Sequence, residues 1–196
     1  AIKATYLGFN RMIPRHTLFH IKNLIYNCNI EQIKRKLKEY DISGIPAIIV
    51  SAGPSLDKNV QELRKAQGKA FIIVVDAALR TLLKAGIRPD IVYTIDPESP
   101  DRFFENLNLD GLLWACSRVI KQYAGKIFYN GLFWGKWNAE ISEELGYIFP
   151  WLMVGGSVTS EAFQFAAYIG FKKMILVGQD MAFTNGISHT KGIEQA

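Results

Sequence analysis

Short apolar runs alternate with amphipathic helical patterns through most of the chain. Runs of three to five residues, typical of buried strands, occupy 47–51, 71–75, 91–95, 112–116, 126–129, 152–154 and 174–177. Helical spacing of apolar residues lies between them at 57–67, 77–85, 101–107, 118–124 and 157–169. Strands that are apolar on both faces and joined by helices predict a doubly wound, mostly parallel, Rossmann-like α/β sheet.

The first 44 residues have a different pattern. Apolar residues define one helical face up to about residue 28, and Ile30 and Ile33 begin another face that is out of phase with the first. Asn29 followed by Gln32 resembles a capping box, which marks the start of a second helix. We therefore interpret 1–44 as an N-terminal helical appendage or linker, and 45–196 as the α/β domain.

Composition is that of an ordinary globular protein. Of the 196 residues, 49% are hydrophobic and 21% are charged. The net charge of +5 is compatible with an anionic ligand such as a nucleotide. The most basic run, KRKLK at 34–38, follows a helical pattern, which favours a solvated helix face over a nucleic-acid or membrane patch. We expect no nucleic-acid partner.

Cysteine usage and hydropathy indicate the compartment. Cys28 and Cys116 are far apart and have neither metal-binding nor redox spacing, which favours a reducing, cytoplasmic location. No apolar run approaches the roughly 18 residues needed to cross a bilayer. Because the chain begins at Ala1 without a methionine, we interpret it as an excerpt of a longer protein, and its oligomeric state stays open.

Small and polar residues follow every predicted strand. In open parallel sheets, ligands bind outside the carboxyl ends of the strands, so these residues are the candidates for a site. Two of these edges are glycine turns that open into helices, Gly53-Pro54-Ser55 and Gly155-Gly156-Ser157-Val158. Each turn alone is explained by chain reversal and helix capping. Together they could hold the phosphate and sugar of one nucleotide, because helix N-termini attract anions.

Asp76 follows the second strand, roughly 20 residues after Gly53, where Rossmann-type sites place an acid on the ribose hydroxyls. A GxGxxG motif is missing from the sequence, which disfavours the usual dinucleotide site.

Other candidate residues are an acidic cluster and a histidine. Asp96, Glu98 and Asp101 follow the third strand and would either bind a divalent ion or begin a helix. His189, in the polar segment NGISHTKG, is either a solvent-facing loop residue or a general base held over the site.

Three ordered motifs carry a family resemblance: PAIIVSAGPSLDKNV, VVDAALRTLLKAGIRPDIVYTIDP and GGSVTSEAFQFAAYIGFKKMILVGQDMAFT. Together they resemble the domain shared by bacterial motility accessory factors, which are flagellin glycosyltransferases, and archaeal 6-hydroxymethylpterin diphosphokinases. The likeness covers roughly residues 45–192 and does not separate the two activities. The bacterial branch is similar in turn to sialyltransferases.

The resemblance implies a sialyltransferase-like fold and a CMP-activated, nonulosonic sugar donor, with flagellin Ser or Thr as acceptor. By motif, the Gly53–Ser55 turn would lie at the donor phosphate, Asp76 near the ribose, and the Gly156–Val158 turn against the cytidine or its phosphate. Asp96 and Asp180 would line the reacting end, and His189 would be the base. This reaction needs no cofactor.

Two alternatives stay open. A diphosphokinase would use ATP with Mg²⁺, and Asp96 and Glu98 are then the candidate ligands. An interaction module that keeps the fold without turnover would bind no nucleotide.

Overall fold

The computed structural model describes residues 30–96, 103–116, 126–129, 140, 143–144, 146, 152 and 156–194. Six strands form one sheet: β1 Ala47–Val50, β2 Phe71–Val75, β3 Ile91–Thr94, β4 Leu113–Cys116, β5 Lys126–Tyr129 and β6 Met174–Val177. The helices of these ranges are α1 Ile30–Leu37, α2 Leu56–Ala66, α3 Asp76–Lys84, α4 Val158–Ile169 and α5 Lys191–Glu194.

The strands lie in the order β5-β4-β3-β2-β1-β6, and every neighbouring pair is parallel. The chain adds β2 to β5 on one side of β1 and then crosses back to place β6 on the other side. The parallel, doubly wound α/β sheet predicted from the sequence is confirmed.

Both faces of the sheet are covered, which explains the apolar runs. Tyr93 packs against Phe165 of α4, with ring centroids 5.2 Å apart, while the next residue, Thr94, bonds to Asp76 at the start of α3. Successive strand side chains point to opposite faces, so α4 and α3 lie on opposite sides of the sheet. All residues of β1 and nearly all of β2 and β3 are buried as a result.

Strand β6 is an edge strand with a different exposure. Two consecutive residues of β6, Ile175 and Leu176, are each 48% exposed, although their side chains point to opposite faces of the sheet. Neither face of β6 is therefore fully covered within the described part of the chain. No helix in those same residues is both long and apolar enough to cross a membrane.

Helix α1 lies where the sequence predicts the second N-terminal helix, and it packs against α4. Ile30 and Ile33 are buried in the same core as the sheet, and the Lys34 ammonium lies 3.7 Å from the centre of the Tyr168 ring. This part of the predicted linker is thus joined to the α/β core. The first predicted helix lies outside the described residues.

The predicted helix at 101–107 is wrong over residues 104–107. Phe103 has 3₁₀-helical geometry, but residues 104–106 form turns, and Asn106 has a left-handed φ of 59° that a helix cannot contain. Phe104 instead packs edge-on against Trp114, with ring centroids 5.6 Å apart. The predicted helix at 118–124 and residues 153–154 of the predicted strand at 152–154 lie outside the described residues. Leu152 is buried without belonging to a strand.

Glu161 is the one acidic residue of α4 and is only 4% exposed. Its Oε1 accepts a hydrogen bond from the Tyr93 hydroxyl at 2.9 Å. Burial raises the pKa of Glu161 from 4.5 to about 7, and the Tyr93 hydrogen bond opposes that rise only in part.

We expect Glu161→Gln to remove a pH dependence of stability. The folded protein keeps a proton that the unfolded chain loses, so the wild-type free energy of unfolding should fall by up to roughly 3 kcal/mol as pH rises from about 4.5 to about 7. Urea unfolding at pH 5 and pH 8 measures this, with the exposed Glu39→Gln as control. Parallel pH profiles for wild type and Glu161→Gln would mean that Glu161 ionises normally.

Candidate functional site

A cleft lies at the carboxyl ends of β1 and β6, where the winding of the sheet reverses. Open α/β sheets bind ligands at this topological switch point. The cleft has a volume of about 370 Å³, within the range of small-molecule sites. Its lining comprises Ser51, Ala52, Gly53, Val75, Asp76, Ala77, Val158, Thr159, Gly178, Gln179, Asp180, Met181, Ala182, Phe183, Ser188 and His189.

The segments that follow β1 and β6 contact each other through backbone atoms of glycine. The Gly53 amide donates to the Gly178 carbonyl at 2.7 Å. A Cβ on Gly53 would lie 2.5 Å from that oxygen, and a Cβ on Gly178, whose φ is 72°, would lie 2.2 Å from the Ser51 carbonyl oxygen. Real Cβ atoms do not approach oxygen so closely, so both positions require glycine.

Asp180 caps the predicted phosphate turn. One carboxylate oxygen accepts from the Ser55 amide at 2.7 Å, and the other accepts from the Ser55 hydroxyl. The Gly53 and Ser55 amides therefore already have protein acceptors at the N-terminus of α2. A phosphate could reach this turn only if Asp180 moved away.

Asp76 lines the cleft but is firmly held. It is the first residue of α3 and is 2% exposed. Its Oδ1 accepts from the Ala77 amide at 2.8 Å, and its Oδ2 accepts from the Thr94 hydroxyl at 2.6 Å. These two hydrogen bonds fix the orientation of the Asp76 carboxylate in the cleft wall.

The N-terminus of α4 forms another wall. Gly156 has a φ of 82°, and the Ser157 hydroxyl caps the helix by accepting from the Ser160 amide at 3.2 Å. Val158 and Thr159, in the first turn, line the cleft. Amides of a first helical turn have no carbonyl partner within their own helix and attract anions. Gly155 lies outside the described residues.

His189 reaches the cleft on the segment after β6. Its ring is exposed, and Nδ1 lies 2.7 Å from the Ser188 hydroxyl. The next residue, Thr190, is fully buried: its amide donates to the Ala52 carbonyl at 2.8 Å, and its hydroxyl lies 2.6 Å from that of Thr81. Sequence reasoning missed Thr190, which ties His189 to the end of β1.

Asp96 is not brought into this site. It is half-buried at the end of β3, two strands from β1, and is not among the residues that line the cleft. Glu98 and Asp101 lie outside the described residues. Within the described residues, no three His, Cys, Asp or Glu side chains form a group that could hold a metal ion.

These features define the class of protein: an open, parallel α/β domain with a cleft at its topological switch point. The chain belongs to the family described as 6-hydroxymethylpterin diphosphokinase MptE-like, which matches residues 19–186. This match confirms the family resemblance of the three sequence motifs.

Two curated relatives match shorter stretches. A 6-hydroxymethyl-7,8-dihydropterin pyrophosphokinase of Methanocaldococcus jannaschii is 34% identical over 88 residues, which cover 43% of this chain and 36% of that protein. An uncharacterized protein of Treponema pallidum is 36% identical over 52 residues, 26% of this chain and 25% of that protein. The aligned part of this chain thus spans about a third or less of either relative.

One solved structure has a similar fold. The MAf glycosyltransferase from Magnetospirillum magneticum AMB-1 superposes with a TM-score of 0.61 over 73% of this chain and 24% of that chain, at 22% identity. At this identity the superposition shows a shared fold.

We expect Gly53→Ala to destabilise the domain by about 1–3 kcal/mol, because the new methyl group would collide with the Gly178 carbonyl and the Asp180 carboxylate. Gly44→Ala is the matched control, since a Cβ there would meet nothing within 4 Å. Thermal unfolding of both variants measures the difference. Equal melting temperatures would mean that the strand ends can separate without cost.

Proposed function

We propose that this chain is the donor-binding domain of a glycosyltransferase. It would transfer a nonulosonic, sialic-acid-like sugar from a CMP-activated donor to Ser or Thr of flagellin, in the cytoplasm. The observation that carries the proposal is the meeting of a helix N-terminus, Asp76 and His189 in one cleft at the switch point. The fold shared with the MAf glycosyltransferase supports the reaction class. The sugar and the flagellin acceptor rest on the resemblance to motility accessory factors.

The cleft suggests how the donor lies. The phosphate would bind at the first turn of α4, near Ser157 and Val158, and the ribose hydroxyls would donate to Asp76. The Gly53–Ser55 turn is a second phosphate position only if the donor displaces Asp180. The N-terminus of α4 is therefore the favoured phosphate position.

Charge favours a donor with one phosphate over a triphosphate. Within the described residues, the lining contains the carboxylates Asp76 and Asp180 and no lysine or arginine. Without a bound cation, a nucleoside triphosphate would meet more repulsion here than a CMP-linked sugar.

The proposed reaction breaks the bond between the anomeric carbon and the CMP phosphate, and that bond's electron pair leaves with the phosphate oxygen. The acceptor hydroxyl oxygen bonds to the anomeric carbon and loses its proton. Nε2 of His189 would take that proton, since Nδ1 faces Ser188. Asp180 is the weaker candidate because both its oxygens already accept from Ser55.

The diphosphokinase is the second candidate, and the family description and the pterin pyrophosphokinase relative favour it. This activity would use ATP with Mg²⁺, and Asp96 and Glu98 are its candidate ligands. An interaction module without turnover would bind neither nucleotide.

Calorimetric titration separates the three possibilities. We expect CMP to bind the chain and ATP to bind more weakly. The N-terminus of α4 offers one anion position, and the carboxylates of Asp76 and Asp180, which also line the cleft, would repel further phosphates. Ser157→Ala should weaken CMP binding, whereas Ser43→Ala, on an exposed turn, should not. ATP with Mg²⁺ binding in place of CMP would favour the diphosphokinase. If neither nucleotide binds, the result would favour an interaction module without turnover.

His189→Ala should lower sugar transfer by at least about tenfold and leave CMP affinity nearly unchanged, because a general base acts on the acceptor proton and not on the donor. Turnover of the full-length protein with CMP-activated sugar acids and flagellin, beside an assay with ATP and hydroxymethylpterin, measures this effect. If His189→Ala transfers sugar at the wild-type rate, His189 is a surface loop residue and not the general base.

A further inference from the structure

Two large apolar side chains stand exposed at the mouth of the cleft. Met181 is 90% exposed and Phe183 is 77% exposed, the highest values among the large hydrophobic residues that the structure describes. Both line the cleft, together with Ala182. Neighbouring large apolar side chains that are exposed and line a cleft are candidates for contact with a ligand.

The segment that carries them, residues 180–189, is held at both ends and in the middle; we name it the lip. Asp180 bonds to Ser55 at its start, and Thr190 bonds to Ala52 just after its end. Between these points, Thr184 and Ile187 exchange two backbone hydrogen bonds of 3.0 Å around a tight turn. These bonds hold the backbone on both sides of Met181 and Phe183.

Backbone strain lies at the same place. Met181 adopts a φ of 50°, which a non-glycine residue rarely takes. Unfavourable backbone conformations persist where the surrounding structure imposes them, and they cluster at ligand sites. The fold therefore tolerates both strain and apolar exposure at one edge of the cleft.

We infer that Phe183, with Met181 beside it, stacks against the planar base of the donor nucleotide. This inference rests on the proposed nucleotide donor. The cleft lining also includes the polar residues Asp76, Ser51 and Thr159, which suit the ribose and phosphate. The base is the one part of a nucleotide with large apolar faces, and aromatic side chains stack on bases of any sequence.

The test compares nucleotide binding with and without the base. We expect Phe183→Ala to raise the Kd for CMP about 5- to 150-fold, the range found for removing one base-stacking aromatic. Phe183→Tyr should stay within about twofold of wild type. Ribose 5-phosphate, which has no base, should bind wild type and Phe183→Ala equally. Phe163→Ala is the matched control, because Phe163 is an exposed α4 aromatic that does not line the cleft.

Several results would overturn the inference. Unchanged CMP affinity in Phe183→Ala would overturn the stacking inference without contradicting the proposed CMP-linked donor. A fall in sugar transfer at unchanged CMP affinity would also overturn it, because the lip would then contact the acceptor. An equal loss of affinity for ribose 5-phosphate would show that the effect does not come from the base. If the wild-type protein did not bind CMP, both the stacking inference and the proposed function would be wrong. Equal melting temperatures of wild type and the variants establish that each is folded.

Discussion

The backbone contact between Gly53 and Gly178 is the constraint on which the site depends. These residues follow β1 and β6, the two strands between which the winding of the sheet reverses, and they approach until one amide bonds to the other carbonyl at 2.7 Å. A side chain at either position would force the strand ends apart. The floor of the cleft, the direction in which the chain leaves β6 and the position of Asp180 all follow from this contact.

A second consequence concerns anion binding. Proteins often use a helix N-terminus after a glycine turn to bind phosphate, but here the protein's own carboxylate, Asp180, fills that position on α2. The N-terminus of α4 reaches the same cleft with its first turn. The two helix ends thus differ in function: one fastens the segment after β6, and the other faces the ligand space.

Buried acids on the two faces of the sheet also differ. Asp76 accepts hydrogen bonds from Ala77 and Thr94, and Glu161 accepts one from Tyr93. Burial outweighs that single bond and raises the pKa of Glu161 to about 7. Of these two buried acids, Asp76 lines the cleft and Glu161 does not.

Much of the fold can be predicted from the sequence, because strands buried on both faces appear as short runs of apolar residues. The predicted strands at 71–75, 126–129 and 174–177 match the observed bounds. Gly53 and Asp76 line one cleft because parallel strands end at one edge of the sheet. The predicted helix at 101–107 is wrong over 104–107 because the left-handed φ of Asn106 and the packing of Phe104 on Trp114 override a weak apolar repeat.

The sequence alone determined the class of fold and the edge of the sheet at which the cleft lies, since both depend on local pattern and on strand direction. It also singled out some of the residues that line the cleft, among them Gly53, Asp76 and His189. Tertiary structure alone decided that Asp180 caps Ser55, that Thr190 joins Thr81 and Ala52 beside His189, and that Phe183 stands at the cleft mouth. Ser55 and Asp180 are separated by 125 positions. Contacts over such separations depend on how the strand ends come together, which no local pattern of residues records.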